Sequence, residues 1–320
     1  MQAIPKTLFT FSFKVLYFIL PIALLSYPLD WAISHYLRQS KTAAEGEYVT
    51  WNAIYSKKMK VELAIYGSSR AWVHVNPQIL TDSLHQSTYN FGIDGLGFKA
   101  QYLRHRIFLA HNPQPTHIIL CIDERSLQIE DKLYNKSQFL PYLLYNKTLY
   151  DHLNTYKGFD LSDYTLPLVR YYGQSKALNS AFWAFLKPEN EYTGRIKGYQ
   201  GQDKTWNNDF DKAKQAQQAL TIQIDTNLIV LFNDFIQECT NKNIKLTFVY
   251  TPEYIEGQYF IKNKDAIMNF YKNKAHTHHI RFIDFSNDPL CFDKTYFYNA
   301  LHLNKKGSEI FSRQLVDSLR

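Results

Sequence analysis

The stretch VELAIYGSSR, residues 61–70, decides how this 320-residue chain folds. Its first six residues are mostly apolar and have the length of a buried β-strand. Gly67 ends the strand with a residue that permits a sharp turn. The turn presents Ser68 and Ser69 at the carboxyl end of the strand. A serine in such a turn is common, so the meaning of this one depends on the rest of the chain.

Four later segments have the same character, and helical stretches lie between them. The predicted strands are 88–91, 116–123 (THIILCID), 244–250 (IKLTFVY) and 280–285 (IRFIDF). A helix is predicted over 96–110, and an amphipathic helix over 304–319 closes the chain. Strands separated by helices form parallel sheets, because a right-handed crossover places a helix between parallel neighbours. The sequence therefore predicts an α/β fold, a three-layer α/β/α sandwich with a mainly parallel five-stranded sheet.

The N-terminus carries a long apolar segment, residues 8–29 (LFTFSFKVLYFILPIALLSYPL). It is long enough to span a bilayer, and Lys14 can extend its ammonium group to the interface. Pro21 and Pro28 are expected to kink or end the helix. A cleavable signal peptide and a buried helix of a globular protein are the alternatives. No small-x-small cleavage pattern follows the segment, which favours a signal anchor.

The composition predicts how the chain divides into an anchor, a linker and a domain. We expect an anchor over 1–30, a linker over 31–58, and a domain over 59–320 with an insertion at about 130–210. The insertion is rich in Tyr and Asn, and its aromatic side chains either stack on sugar rings or form a small core of their own. Arg38 and Lys41 follow the apolar segment and weaken the charge asymmetry, but an extracytoplasmic domain remains the preferred orientation.

Composition and charge exclude several classes of protein. The formal net charge is +7, but the lysines are scattered, and there is neither a zinc-finger spacing nor a basic groove-binding helix. Nucleic acid is therefore not an expected partner. Three widely separated cysteines, Cys121, Cys239 and Cys291, predict buried thiols rather than a disulfide framework or a metal site.

A histidine cluster near the last strand is a candidate metal site. His276, His278 and His279 lie in HTHHI. Carboxylates and cysteines with ligand spacing do not accompany them, so a solvated turn is the better interpretation. We expect neither a metal nor an organic cofactor.

Two further segments complete a possible reaction centre. His302 lies just before the closing helix, on the rim where the first strand ends, and a histidine there can accept the proton of a serine nucleophile. The segment NFGIDG, residues 90–95, follows the second strand. Its glycines permit backbone N–H groups to approach a developing oxyanion, although an ordinary strand-to-helix turn has the same composition.

In this order and spacing, three segments resemble sequence blocks of the SGNH/GDSL hydrolase superfamily. GSS (67–69) is similar to the nucleophile block, NFGIDG (90–95) to the glycine block, and NALHLNKKG (299–307) to the terminal DxxH block. The resemblance covers residues 61–319 apart from the insertion. It is closest in style to the membrane-anchored envelope branch, which includes alginate O-acetyltransferase-like proteins and the D-alanine transfer protein. The family's fold is flavodoxin-like.

The resemblance implies a role for five residues. Ser69 would be the nucleophile and His302 the general base, and Asn299 occupies the position of the family's acid. The backbone N–H groups of Ser69 and Gly95 would form an oxyanion hole, and Asp123 stands where the family has an asparagine. Both substitutions matter. Asn299 can orient His302 but cannot offset the charge of an imidazolium, and Asp123 would repel an oxyanion unless it is protonated or turned away.

Other residues could serve the same centre. Asp284 or Asp293 could replace the missing acid. Arg70 and Asn90 are candidates for substrate binding, and the alternative for Arg70 is an ion pair with Asp94 or Glu124.

The implied function is that of a membrane-anchored, extracytoplasmic esterase or O-acyltransferase with an acyl-serine intermediate. Its expected partners are an envelope polysaccharide or acylated carbohydrate, the membrane and a membrane acyl-donor protein. The alternative is a catalytically silent module that binds or scaffolds during envelope polysaccharide assembly.

Overall fold

The computed structural model describes residues 6–187, 194–216 and 219–320. These residues form two compact units. One unit contains residues 6–48 and 136–187. The other contains residues 49–135, 194–216 and 219–320, and it holds the predicted strands.

The larger unit is built on a five-stranded sheet in the order β2-β1-β3-β4-β5, in which every neighbouring pair is parallel. The strands are β1 (Leu63–Gly67), β2 (Thr88–Asn90), β3 (His117–Ile122), β4 (Lys245–Tyr250) and β5 (Arg281–Asp284). Each begins and ends within two residues of its predicted position. The predicted fold class and all five strands are therefore confirmed.

Helices cover both faces of this sheet. Leu63 and Ile65 share a core with side chains of the helices that follow β1 and of the C-terminal helix. Successive side chains of a strand point to opposite faces, so Tyr66 lies on the other side. There its ring is 6.4 Å from the ring of Phe235 in the long helix before β4. The sheet is thus the middle of three layers.

The helices of this unit alternate with the strands. They are α2 (Glu47–Tyr55, which begins at the unit boundary), α3 (Ser69–His74), α4 (Pro77–Leu84), α5 (Phe98–His111), α9 (Asp209–Gln215), α10 (Thr226–Asn241), α11 (Ile255–Gln258), α12 (Lys264–Thr277) and α13 (Lys305–Leu319). Just before α13, β6 (Phe297–Asn299) and β7 (His302–Leu303) form a short antiparallel hairpin.

The smaller unit is helical. Its helices are α1 (Lys6–Gln39), α6 (Lys147–Leu153), α7 (Leu161–Thr165) and α8 (Ser175–Leu186). Most of the predicted insertion belongs to this unit together with the N-terminal helix. By length and composition, Phe13–Gln39 could cross a membrane, with a mean hydropathy of 1.5.

The N-terminal helix is longer than the sequence predicts. Neither Pro21 nor Pro28 ends α1, which continues through the first nine residues of the expected 31–58 linker to Gln39. Tertiary contacts stabilise this extension. The carboxylate of Asp30 accepts two hydrogen bonds of 2.7 Å from the Arg170 guanidinium, and the hydroxyl groups of Ser34 and Tyr171 are 2.7 Å apart.

Candidate active site

A tight turn at the end of β1 places Ser69 at the carboxyl edge of the sheet. Gly67 has a φ of +147°, and a Cβ at this position would lie 2.7 Å from the Cβ of Ala71 and 2.8 Å from the carbonyl oxygen of Cys121. Only glycine fits this turn. Ser68 caps the helix that follows, and Ser69 is the first residue of α3.

His302 reaches Ser69 from the hairpin before the last helix. The Nε2 atom of His302 lies 2.7 Å from the Oγ atom of Ser69, although 233 residues separate the two along the chain. The distance is that of a hydrogen bond between a nucleophile and its base. The structure therefore brings the two predicted catalytic residues together.

Asn299 fixes which nitrogen of His302 carries the proton. The Oδ1 atom of Asn299 accepts hydrogen bonds from the backbone N–H groups of Leu301 (3.0 Å) and His302 (2.9 Å), which identifies this atom as the oxygen of the amide. The same oxygen lies 3.0 Å from Nδ1 of His302. Because an oxygen can only accept here, Nδ1 must donate and Nε2 keeps its lone pair for the Ser69 hydroxyl.

The surroundings of His302 favour the neutral imidazole. Burial lowers the pKa of His302 to about 3, and the positive charges of Arg70 and Lys204 contribute to the shift. A carboxylate at position 299 would oppose this shift, whereas an amide carries no charge. His302 is thus ready to accept a proton but holds it weakly.

Two neighbours of His302 were not foreseen. The ring of Tyr298 stacks on the imidazole with centroids 5.3 Å apart and an interplanar angle of 5°. Nε2 of the buried His74 accepts a hydrogen bond of 3.0 Å from the backbone N–H of Leu303, and its Nδ1 faces the Thr251 hydroxyl at 2.9 Å. Both contacts hold the hairpin that carries His302. Neither residue had a sequence signal, because each acts through its packing.

A pocket of about 240 Å³ opens beside the pair, and Ser69, Gly95 and His302 all line it. The backbone N–H of Ser69 is at the first position of α3, where a helix offers no intrahelical acceptor. Gly95 has a φ of +64°, and a Cβ there would come within 2.4 Å of the Tyr134 ring. The backbone geometry thus requires glycine at position 95.

Asp123 does not have the predicted place among the oxyanion donors. Its Oδ2 atom accepts a 2.5 Å hydrogen bond from the Ser68 hydroxyl, and its Oδ1 atom accepts one of 2.9 Å from the backbone N–H of Arg125. A carboxylate that accepts at both oxygens offers no donor to an oxyanion. Asp123 instead links the ends of β1 and β3 in the wall of the same pocket.

Asn90 is structural, which corrects its predicted role in substrate binding. Its side chain is fully buried. The Nδ2 group donates to the carbonyl oxygens of Ala71 (2.7 Å) and Val75 (2.8 Å), and Oδ1 accepts from the N–H of Gly92 at 2.8 Å. Both amide protons are used, so Asn90 stabilises the turn and α3 and has none left for a substrate.

The guanidinium of Arg70 is held by several groups of the protein. Its guanidinium is 3.3 Å from Glu124 and 3.4 Å from Glu253, and it donates to the hydroxyl and the carbonyl oxygen of Thr251. The group lies 4.5 Å from the centre of the Tyr250 ring. Of the two predicted partners, Glu124 is therefore confirmed. Arg70 also lines the pocket beside Ser69, and its role in substrate binding stays a prediction.

The buried network around Arg70 contains two carboxyl groups for one guanidinium. Burial and the charge of Glu124 raise the pKa of Glu253 to about 7. The hydroxyl of Tyr250 contacts both carboxyl groups, and it lies 2.6 Å from Oε2 of Glu253. Since a phenol has one proton to donate, a protonated Glu253 can supply the second hydrogen bond. Sequence reasoning did not find Glu253, because nothing local marks a glutamate as buried.

The alternative acids lie elsewhere. Asp284 pairs with Lys272 at 3.1 Å, and Asp293 caps Thr295 with a 2.9 Å hydrogen bond. The oxygen that faces His302 Nδ1 belongs to Asn299.

The thiols and histidines set aside earlier have the expected surroundings. Cys121, Cys239 and Cys291 are free and buried, and the three clustered histidines are exposed at the end of α12. Within the described part of the chain, no group of three or more His, Cys, Asp or Glu could hold a metal ion.

No family model and no curated protein matches the chain. Among solved structures, it is similar to a GDSL-like lipase from Bacteroides thetaiotaomicron, with 12% identity, a TM-score of 0.38, and coverage of 90% of this chain and 100% of that one. A proposed acylhydrolase from Bacteroides fragilis has 13% identity, a TM-score of 0.37, and coverage of 85% and 95%. A proposed platelet activating factor from Streptococcus pneumonia has 12% identity, a TM-score of 0.37, and coverage of 96% and 99%. At these identities and TM-scores, the functional assignment depends on the Ser69–His302 geometry and the three sequence blocks.

Proposed function

We propose that this chain is a serine esterase or O-acyltransferase of the SGNH type, held at a membrane by α1 with its larger unit outside the cytoplasm. The observation that carries the proposal is the 2.7 Å contact between Ser69 Oγ and His302 Nε2 beside an open pocket. The resemblance of the three sequence blocks to SGNH/GDSL hydrolases supports it.

The first half-reaction forms an acyl-enzyme. Ser69 Oγ attacks the carbonyl carbon of an ester while Nε2 of His302 takes the hydroxyl proton. The backbone N–H groups of Ser69 and Gly95 are the proposed donors to the tetrahedral oxyanion. The intermediate then collapses, the bond to the leaving alkoxide breaks, and His302 gives the proton to that oxygen.

The second half-reaction regenerates Ser69. Water or a sugar hydroxyl gives its proton to His302 Nε2 and attacks the acyl carbon, and the proton returns to Ser69 Oγ as the acyl bond breaks. Water yields a carboxylic acid, whereas a sugar hydroxyl yields a new ester. In both halves, Asn299 keeps the Nε2 lone pair directed at the reacting oxygen.

The size of the pocket favours a small acyl group. A volume of about 240 Å³ lies below the roughly 300–1,000 Å³ of pockets for whole small ligands. A short acyl group fits this space while the remainder of a polymer stays outside. We therefore propose an acylated envelope carbohydrate as the substrate and a membrane acyl-donor protein as a partner if the reaction is a transfer.

One observation favours the alternative, a catalytically silent binding module. Asn299 offers no charge to stabilise a protonated His302, whose pKa is lowered to about 3. A pair of this kind could persist without turnover in an envelope assembly protein.

The test is the release of p-nitrophenol from p-nitrophenyl acetate by the full chain in detergent, with and without an oligosaccharide acceptor. Wild type and Ser56→Ala, a change at an exposed serine just after α2, should turn over equally, and Ser69→Ala should be inactive. Mass analysis of the acceptor separates transfer from hydrolysis. A wild type as inactive as Ser69→Ala would favour the silent module.

A further inference from the structure

Helix α8 has the reverse of the residue pattern expected in a water-soluble helix. Ala177, Ala181 and Ala184, spaced four and three residues apart on one face, are its buried positions. Large apolar side chains occupy exposed positions, each between 38% and 55% exposed: Leu178, Phe182, Trp183, Phe185 and Leu186. A surface helix of a soluble protein normally directs its large apolar residues inward. Small residues inside and large ones outside are typical of helices that face lipid.

The inward face of α8, with its three buried alanines, packs on α1. Phe185 is 55% exposed but also contacts this helix at one side, where its ring meets the ring of Tyr36 edge to face with centroids 5.0 Å apart. Just before α8, the buried ion pair between Arg170 and Asp30 and the contact between Tyr171 and Ser34 hold the chain against the same helix. The position of α8 beside α1 is therefore fixed by several independent contacts.

Helix α1 also has a large exposed apolar surface, like the exposed face of α8. The large apolar side chains of α1 between Phe11 and Trp31 are mostly more than half exposed. Soluble proteins rarely expose contiguous apolar surface on this scale. The exposed apolar side chains of α1 and α8 thus belong to one unit. Because α8 packs beside α1, a bilayer that surrounds α1 also contacts α8.

We propose that α8 is an interfacial helix whose exposed apolar face lies in the lipid bilayer beside α1. This inference rests on the proposed membrane anchoring. The 12 residues of α8 extend about 18 Å, which is too short to span a bilayer. Its polar residues all lie in the first half: Ser175, Lys176, Asn179 and Ser180. The second half, residues 181–186, is apolar around its whole circumference. Trp183 is a residue type enriched at membrane interfaces.

Lipid-dependent quenching in nanodiscs tests this arrangement on the full chain. A single cysteine, introduced as Phe182→Cys or in a second variant as Phe185→Cys, carries an environment-sensitive fluorophore, and the lipids carry a shallow doxyl quencher. Val230→Cys, at an exposed position of α10, is the matched control outside the membrane. The native thiols are buried and do not label in the folded protein.

The expected result is at least twofold stronger quenching at positions 182 and 185 than at position 230. A label introduced as Leu20→Cys within α1 reports the anchor itself. If position 20 is quenched while positions 182 and 185 match position 230, the interfacial role of α8 is wrong and anchoring stands. If position 20 is not quenched either, both fail. Neither outcome depends on esterase activity.

Discussion

The Nδ1 atom of His302 faces the Oδ1 atom of Asn299 at 3.0 Å, at the position where the DxxH block that this segment resembles carries an acid. The amide preserves the orientation of the imidazole and its tautomer, since two backbone N–H groups hold the oxygen in place. What is missing is the charge that would stabilise the imidazolium formed when Ser69 is deprotonated. Catalysis by this pair is therefore expected to be slow and open to improvement.

Replacing Asn299 by aspartate should restore that charge. Asn299→Asp keeps an oxygen at the same place, so we expect kcat/KM at pH 8 to rise about tenfold, which equals about 1.4 kcal/mol of transition-state stabilisation. Asn299→Ala removes the oxygen and should lower the rate at least tenfold. Steady-state kinetics with p-nitrophenyl acetate measures both. Equal rates for the three proteins would show that Asn299 does not position His302.

The acid limb of the kcat/KM profile should lie at an unusually low pH. The pKa of His302 is lowered from 6.5 to about 3, so the imidazole stays neutral as the pH falls through the range in which an ordinary histidine is protonated. We expect kcat/KM to remain nearly constant from pH 8 to pH 5. In Asn299→Asp the carboxylate favours the imidazolium, and the acid limb should move to higher pH. A wild-type limb centred near pH 6.5 would contradict the proposed electrostatics.

The sheet and the Ser69–His302 pair could be predicted because they depend on local patterns. Five apolar runs separated by helical stretches are compatible with few sheet topologies. In a parallel sheet, the carboxyl ends of the strands meet at one edge. The structural role of Asn90 could not be predicted, since a polar residue near a site binds a substrate only if the protein leaves its donors free. The network of Arg70 depends on Glu253, which lies 183 residues away in sequence. Such long-range partners leave no periodic signal.

The length of α1 was missed for a related reason. Prolines at positions 21 and 28 suggested an early end to the helix. One contact of the extension joins Ser34 to Tyr171, which are 137 residues apart. The local sequence does not mark so distant a partner.

Asn90 should be important for stability. Asn90→Ala removes three buried hydrogen bonds, to the carbonyl oxygens of Ala71 and Val75 and from the N–H of Gly92, which should reduce the free energy of unfolding by about 3 kcal/mol. Denaturant titration of the full chain in detergent measures the loss. Asn227→Ala, at an exposed position of α10, is the control and should change stability by less than about 0.5 kcal/mol. A loss for Asn90→Ala no larger than for the control would mean that the amide is not the link described above.

Glu253 should make stability depend on pH. Its pKa in the folded protein is about 7, against an ordinary value of 4.5, because ionisation in the buried network is unfavourable. The stabilisation that the protonated group provides is complete below pH 4.5 and is lost as the pH rises to about 7. Glu253→Gln should flatten this part of the stability profile, whereas Glu309→Gln on α13 should not. Parallel profiles for wild type and Glu253→Gln would contradict the assignment.

Covalent labelling reports directly whether Ser69, activated by His302, is the nucleophile. The full chain is treated with a fluorophosphonate probe, and the modified peptide is mapped by mass spectrometry. We expect one adduct on Ser69, none in Ser69→Ala, at least a hundredfold slower labelling in His302→Ala, and unchanged labelling in Ser56→Ala. An unlabelled wild type, or an adduct at another residue that persists in Ser69→Ala, would show that Ser69 is not the activated nucleophile.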